Sequence, residues 1–203
     1  QCGQALARPV VGAASPGEGG APPLLQAWQA LRGPRPLLLL VPRHPQRFDE
    51  VGALVAAAGL RGLRRSAWTD APPADAAAVD VWLGDSLGEM PLYYALADVA
   101  LLGGSFAPLG GQNLIEAAAC ACPVLVGPHT FNFLLATDDA IASGAALRVE
   151  SPQALALAVA SLLGNKGELA AMRAAATAFA LAHQGATQRM LRLIERWSGR
   201  AGC

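Results

Sequence analysis

The densest group of residues suited to chemistry runs from Gly103 to Glu116, GGSFAPLGGQNLIE, immediately after the apolar run Val99 to Leu102. Glycine pairs let a backbone approach a ligand closely. The second pair, Gly110 and Gly111, leads through Gln112 and Asn113 into a predicted helix, whose free N–H groups favour an anion such as a phosphate. Asn113 and Glu116 admit two readings. Asn with Glu three residues on resembles a capping box, whereas a free Glu116 carboxylate could accept two hydrogen bonds from the vicinal hydroxyls of a ribose. A second group, PRHPQRF over residues 42–48, sets Arg43 and His44 between prolines; Arg43 suits a phosphate or carboxylate, or is a surface residue at a helix start. The loop 84–90, GDSLGEM, offers Gly84, Gly88 and Glu89 either to a base or to a plain turn and helix cap. GPHTFNF over 127–133 holds His129 and Asn132, and Ser15 opens a Gly-rich stretch after the first apolar run.

These loops need elements to hold them. Short continuous apolar runs over residues 10–14, 37–41, 79–83, 99–103, 123–126 and 145–149 read as strands, with a weaker one at 63–68. Helical patterns fall between them, over 24–31, 48–58, 90–97, 114–120 and 134–143, and two more follow over 152–163 and 168–197, with a break near 183–185. Alternation of this kind predicts parallel pairing with right-handed crossovers. Uninterrupted apolar strands predict helices on both faces. The fold class is therefore α/β: a Rossmann-like, doubly wound parallel sheet of about six strands, with its ligand outside the strands' carboxyl ends. All five loops named above follow strands, which places them on that one edge.

Composition narrows the function classes. The 203 residues are 53% hydrophobic, and 15 Lys and Arg balance 15 Asp and Glu, so no net charge points to nucleic acid. No run approaches the roughly 18–20 apolar residues of a membrane span. The start, QCGQALARP, lacks the apolar segment of a signal peptide. Cys120 and Cys122 form C-x-C without a second ligand pair, which predicts small buried thiols in a reducing cytosol rather than a zinc site. The absence of an initiator Met, directly before a strand, predicts a fragment of a longer protein.

Taken in order, PRHPQRF, GDSLGEM, LLGGSFAPLGGQNLIEA and GPHTFNF closely resemble the C-terminal half of bacterial Kdo transferases, from about Pro9 to Trp197. That resemblance implies the C-terminal domain of a GT-B glycosyltransferase, residues 1–203 with a helical tail over about 165–197. It implies binding of CMP-Kdo and inverting, metal-independent transfer of Kdo to a lipid A precursor, with no cofactor. It places Glu116 on the ribose beside Asn113, and residues 110–113 (Gly110, Gly111, Gln112, Asn113) at the phosphate. Gly104 and Ser105 approach the donor, Arg43 meets its anionic groups, the loop with Gly84, Gly88 and Glu89 borders the cytosine, and Ser15 sits at the cleft mouth. His44, His129 and Asn132 are further candidates. No catalytic residue is expected here, since the general base belongs to an N-terminal acceptor domain outside this chain. The full-length protein is expected at the cytoplasmic face of the inner membrane, with no nucleic-acid partner. Two departures stand out: Gln112 replaces a frequent His, and Ser15-Pro16-Gly17-Glu18-Gly19-Gly20-Ala21 departs from S-T-x-x-G-E-E. Other GT-B enzymes, whether UDP-sugar transferases or epimerases, and a non-catalytic Rossmann binding module are the alternative readings.

Overall fold

The computed structural model describes residues 8–14, 20–31, 35–69 and 71–183. Its centre is one seven-stranded sheet in the order β3-β4-β2-β1-β5-β6-β7, with every recorded pairing parallel. The strands are β1 (Val10–Ala14), β2 (Leu37–Val41), β3 (Gly62–Arg64), β4 (Val81–Leu83), β5 (Val99–Leu102), β6 (Val124–Val126) and β7 (Ala146–Arg148). Every residue of β1, β2, β4, β5 and β6 is buried, as continuous apolar runs require when both faces are covered. The covering helices are α1 (Ala21–Gln29), α2 (Phe48–Ala57), α3 (Met90–Leu96), α4 (Ile115–Ala119), α5 (Leu134–Ala142), α6 (Pro152–Gly164) and α7 (Lys166–His183).

Three elements differ from expectation. The sheet has seven strands, because the weak segment after residue 60 does pair, through Gly62 to Arg64, before breaking into a short 3-10 turn over Arg65–Ala67. The strand β4 begins at Val81, two residues late, because Ala76–Ala78 form another 3-10 turn that runs into Val79. The last helix starts at Lys166, where Asn165 and Glu168 cap it reciprocally: Glu168 N–H donates to Asn165 Oδ1 at 3.1 Å and Asn165 Nδ2 donates to Glu168 Oε2 at 3.1 Å. The expected break near residues 183–185 and the tail beyond it lie outside the described residues.

The described part of the tail packs on this same domain. Ala176, Phe179 and Ala180 of α7 join the buried cluster of Leu102, Leu114 and Val124. Arg173 ties α7 to the start of β5 by donating to Asp98 at 2.6 Å, and Asp98 in turn accepts from Val10 N–H at 2.9 Å. No single described helix is long and apolar enough to cross a membrane.

The chain winds outward from β1 to β2 and β4 on one side and to β5, β6 and β7 on the other. The direction of winding reverses between β1 and β5, and the carboxyl edge there is where an open α/β sheet leaves a crevice.

Candidate functional site

A cleft of about 500 Å³ opens along that edge. Four loops form its walls. Pro42 and Arg43 follow β2, Ser86, Leu87 and Gly88 follow β4, Gly111, Gln112, Asn113 and Glu116 follow β5, and Asn132 and Phe133 follow β6. The sheet thus gathers Arg43, Gly88, Gly111, Gln112, Asn113, Glu116 and Asn132 into one concavity. Arg43 and Glu116 are both exposed, and neither has a hydrogen bond or ion pair to any described residue.

The local structure around Glu116 separates its two readings. Its short helix α4 begins one residue later than a capping box would need, with Leu114 as N-cap and no side-chain cap. Asn113 Oδ1 instead accepts from Ile115 N–H at 3.0 Å, which turns the chain into the helix without engaging Glu116. The same Asn-x-x-Glu spacing does cap a helix at Asn165 and Glu168, where the two side chains also bond each other, so the motif alone does not decide. Here the carboxylate is left facing the cleft.

Gly110 and Gly111 set the course of this loop, with φ of +85° and +73°. A Cβ on Gly110 would lie 2.3 Å from Asn132 Nδ2, so only glycine fits between the loops. Gly111 N–H donates to Gly104 O at 3.1 Å and is taken, while the N–H groups of Gln112 and Asn113 have no partner among the described residues. These two amides, and not the five-residue helix with its small dipole, are the unpaired donors this loop turns toward the cleft.

Seven predicted site residues do not line this cleft. Ser105 is fully buried; its hydroxyl donates to Leu102 O and accepts from Gly127 N–H at 2.8 Å, and its carbonyl accepts from His129 N–H at 2.9 Å. It is a staple between the β5 and β6 loops and does not reach the cleft. Gly104 faces a separate apolar cavity of about 100 Å³ beside Leu24, Phe106 and Leu155. Gly110 is buried against Asn132 and Phe131. Gly84 is held by its N–H to Leu40 O at 2.8 Å and by contact with the Tyr93 ring. Glu89 turns away from the cleft: it accepts from Arg65 at 2.9 Å, from Ser86 Oγ and from Tyr93 at 3.1 Å. The Ser86 bond, followed by Tyr93 and Arg65, outweighs desolvation and holds its carboxyl below the usual range. His44 is an exposed turn residue whose carbonyl accepts from Arg47 N–H at 3.0 Å. His129 lines a neighbouring hollow with Arg148 and Glu150. Ser15 lies outside the described residues.

Three further residues are not singled out by the sequence: Tyr94 lies outside every motif, and Met90 and Phe133 end the GDSLGEM and GPHTFNF segments. Tyr94, Met90 and Phe133 line the cleft, and only the packing of α3 and the β6 loop brings them there. Behind the β4 loop, Asp85 accepts from Ser66 N–H at 2.8 Å, Ser66 Oγ at 2.6 Å and Arg64 Nε at 2.6 Å. Burial works to raise its pKa, but these bonds prevail and the carboxyl titrates below its ordinary value. The pair Arg64–Asp85 thereby fixes the rim from which Ser86 to Gly88 project. Among the described residues, no group of three or more His, Cys, Asp or Glu is placed to hold a metal ion.

Comparison with solved structures gives the decisive observation. The C-terminal CMP-Kdo binding domain of WaaA from Acinetobacter baumannii superposes with a TM-score of 0.76 at 31% identity, covering 85% of this chain and 89% of that one. This chain belongs to the Kdo transferase family. The 3-deoxy-D-manno-octulosonic acid transferase of Bordetella pertussis is 52% identical over 200 residues, 96% of this chain and 46% of that protein. The Haemophilus influenzae transferase is 38% identical over 191 residues, 93% of this chain and 44% of its own length. The chain therefore spans a little under half the length of these Kdo transferases. No family model matches it.

Proposed function

We propose that this chain is the donor-binding half of a Kdo transferase and holds CMP-Kdo in the cleft between the β2, β4, β5 and β6 loops. The observation that carries the reading is Glu116: an exposed carboxylate on the cleft wall, bonded to no described residue. A carboxylate accepts two hydrogen bonds from a vicinal diol, so Glu116 holds the ribose. The free amides of Gln112 and Asn113 meet the phosphate, and Arg43 meets the phosphate or the carboxylate of Kdo. Arg suits two neighbouring anionic groups, since its planar fork keeps its charge and bonds bidentately. The loop of Ser86 to Gly88 borders the base.

In this reading the acceptor hydroxyl of a lipid A precursor attacks the anomeric carbon as CMP leaves, with inversion and through an oxocarbenium-like transition state. Amide N–H groups and Arg43 stabilise the charge growing on the leaving phosphate, so no metal is required. The general base lies in the acceptor domain, outside this chain, as does contact with the inner membrane at its cytoplasmic face.

Titration of the chain with CMP and UMP by calorimetry tests the reading, and CMP is expected to bind more tightly. Glu116→Gln keeps the size but removes the charge. Hydrogen bonds to a charged group contribute about 1.5–3 kcal/mol, so CMP affinity falls by at least about tenfold while the melting temperature stays unchanged. Equal affinity for CMP and UMP would favour a UDP-sugar enzyme. A lowered melting temperature with unchanged CMP affinity would return Glu116 to a structural role.

A further inference from the structure

Two adjacent tyrosines on α3 have different fates. Both are 4% exposed. The Tyr93 hydroxyl is engaged within the chain by Ser86 and by Glu89 at 3.1 Å. The Tyr94 hydroxyl hydrogen-bonds to no described residue. It is not sealed in either: the polar side-chain atoms buried without a partner are Arg8 Nε, Trp28 Nε1 and Trp68 Nε1 among the described residues. Tyr94 lines the same cleft as Glu116. Its ring is fixed in the buried cluster with Leu102, Leu114 and Ala118, so the hydroxyl is presented from a rigid floor. The hydroxyl is therefore within reach of a group in the cleft and is not committed to any described residue.

Tyr94 and Glu116 are chemically complementary. Burial first, and then repulsion from the Glu116 carboxylate, push the Tyr94 phenol well above its ordinary range, so it remains a proton donor at neutral pH. A carboxylate such as that of Glu116 accepts hydrogen bonds. A group that gives a hydrogen bond to one and takes one from the other is a hydroxyl, which has one proton and two lone pairs. Neither a phosphate oxygen nor a carbonyl can do both.

We propose that the Tyr94 hydroxyl is a ligand group of this site, donating to the oxygen of a ribose hydroxyl whose own proton Glu116 accepts. The inference rests on the donor-site reading of the cleft. It makes Tyr94 a determinant of selectivity for ribonucleotides over deoxyribonucleotides.

The test is a cycle of two proteins and three nucleotides. The unaltered chain and Tyr94→Phe are titrated with CMP, 2′-deoxy-CMP and 3′-deoxy-CMP by calorimetry, and the melting temperature of each free protein is measured. Loss of one neutral hydrogen bond weakens binding by about 3- to 10-fold. Tyr94→Phe should therefore bind CMP about 3- to 10-fold more weakly, while one of the two deoxy analogues binds both proteins equally, because it lacks the hydroxyl that Tyr94 meets. The melting temperature should not fall, since the hydroxyl holds nothing in the free domain. Equal CMP affinity of the two proteins, or the same loss with all three nucleotides, overturns the proposal. If the unaltered chain binds no CMP, the donor-site reading falls, and this inference with it. If it binds CMP and Tyr94→Phe binds it equally well, only the role of Tyr94 falls.

Discussion

Gly110 and Gly88 provide a matched test of how tightly the cleft loops are packed. Both have left-handed backbone, with φ of +85° and +80°. Alanine at either position carries the same strain, about 1–2 kcal/mol. Their surroundings differ. A Cβ on Gly88 would meet nothing within 4 Å, whereas one on Gly110 would lie 2.3 Å from Asn132 Nδ2, 2.5 Å from Asn132 Cγ and 2.6 Å from Phe131 Cε2. Asn132 also anchors the loop by donating to Leu109 O at 3.0 Å and, through its backbone N–H, to Gly110 O at 3.1 Å. Moving it displaces the β6 loop from the β5 loop, an overpacking cost of about 1–3 kcal/mol. Gly110→Ala should thus lose about 1–3 kcal/mol more than Gly88→Ala. For a chain of this size that is a melting temperature roughly 2–12 °C lower. Urea and thermal unfolding of both variants beside the unaltered chain provide the measurement. Equal losses for the two would mean that the β5 and β6 loops do not touch as described, and that the cleft wall is not held by this contact.

Ser105→Ala removes a buried hydroxyl that bridges Leu102 O and Gly127 N–H. Each unsatisfied group costs about 1–3 kcal/mol, so a marked loss in urea stability is expected with CMP affinity unchanged; weaker CMP binding at full stability would put Ser105 in the donor site instead. Asp85 has a depressed carboxyl pKa in the fold, where bonds from Ser66 and Arg64 prevail over burial. Its contribution to stability is therefore complete above the unfolded value of about 4 and is lost as pH falls through the lower folded value. Asp85→Asn should be less stable at pH 7 and show a flatter decline between pH 5 and pH 2 in urea midpoints, whereas parallel curves for the two proteins would contradict the assigned role.

Sequence patterning was sufficient for the architecture because parallel strands covered on both faces must be continuous apolar runs. The segments LLLLV of β2 and VALL of β5 show this directly, and every residue in them is buried. The same pattern placed the Gly-rich loop from Gly103 onward at the carboxyl edge, since a strand-to-helix loop in such a sheet has nowhere else to go. The resemblance of four ordered segments to Kdo transferases was legible for the same reason, and the structural match to a CMP-Kdo binding domain agrees with it.

What the one-dimensional pattern could not decide was the direction and company of individual side chains. Asn113 and Glu116 have the same spacing as Asn165 and Glu168, yet only the second pair caps its helix. The difference is a one-residue shift in helix start, which depends on how Gly110 and Gly111 wedge against the β6 loop. Ser105 and Glu89 sit within motifs but turn into the protein, because Gly127 N–H and Arg65, distant in sequence, need their oxygens. Tyr94 reads as an ordinary apolar position on α3, and its place on the cleft floor follows from the packing of α3 against α4. Local patterning determined which loops meet at the edge of the sheet. Contacts between residues far apart in the chain decided which side chains in those loops remain free for a ligand.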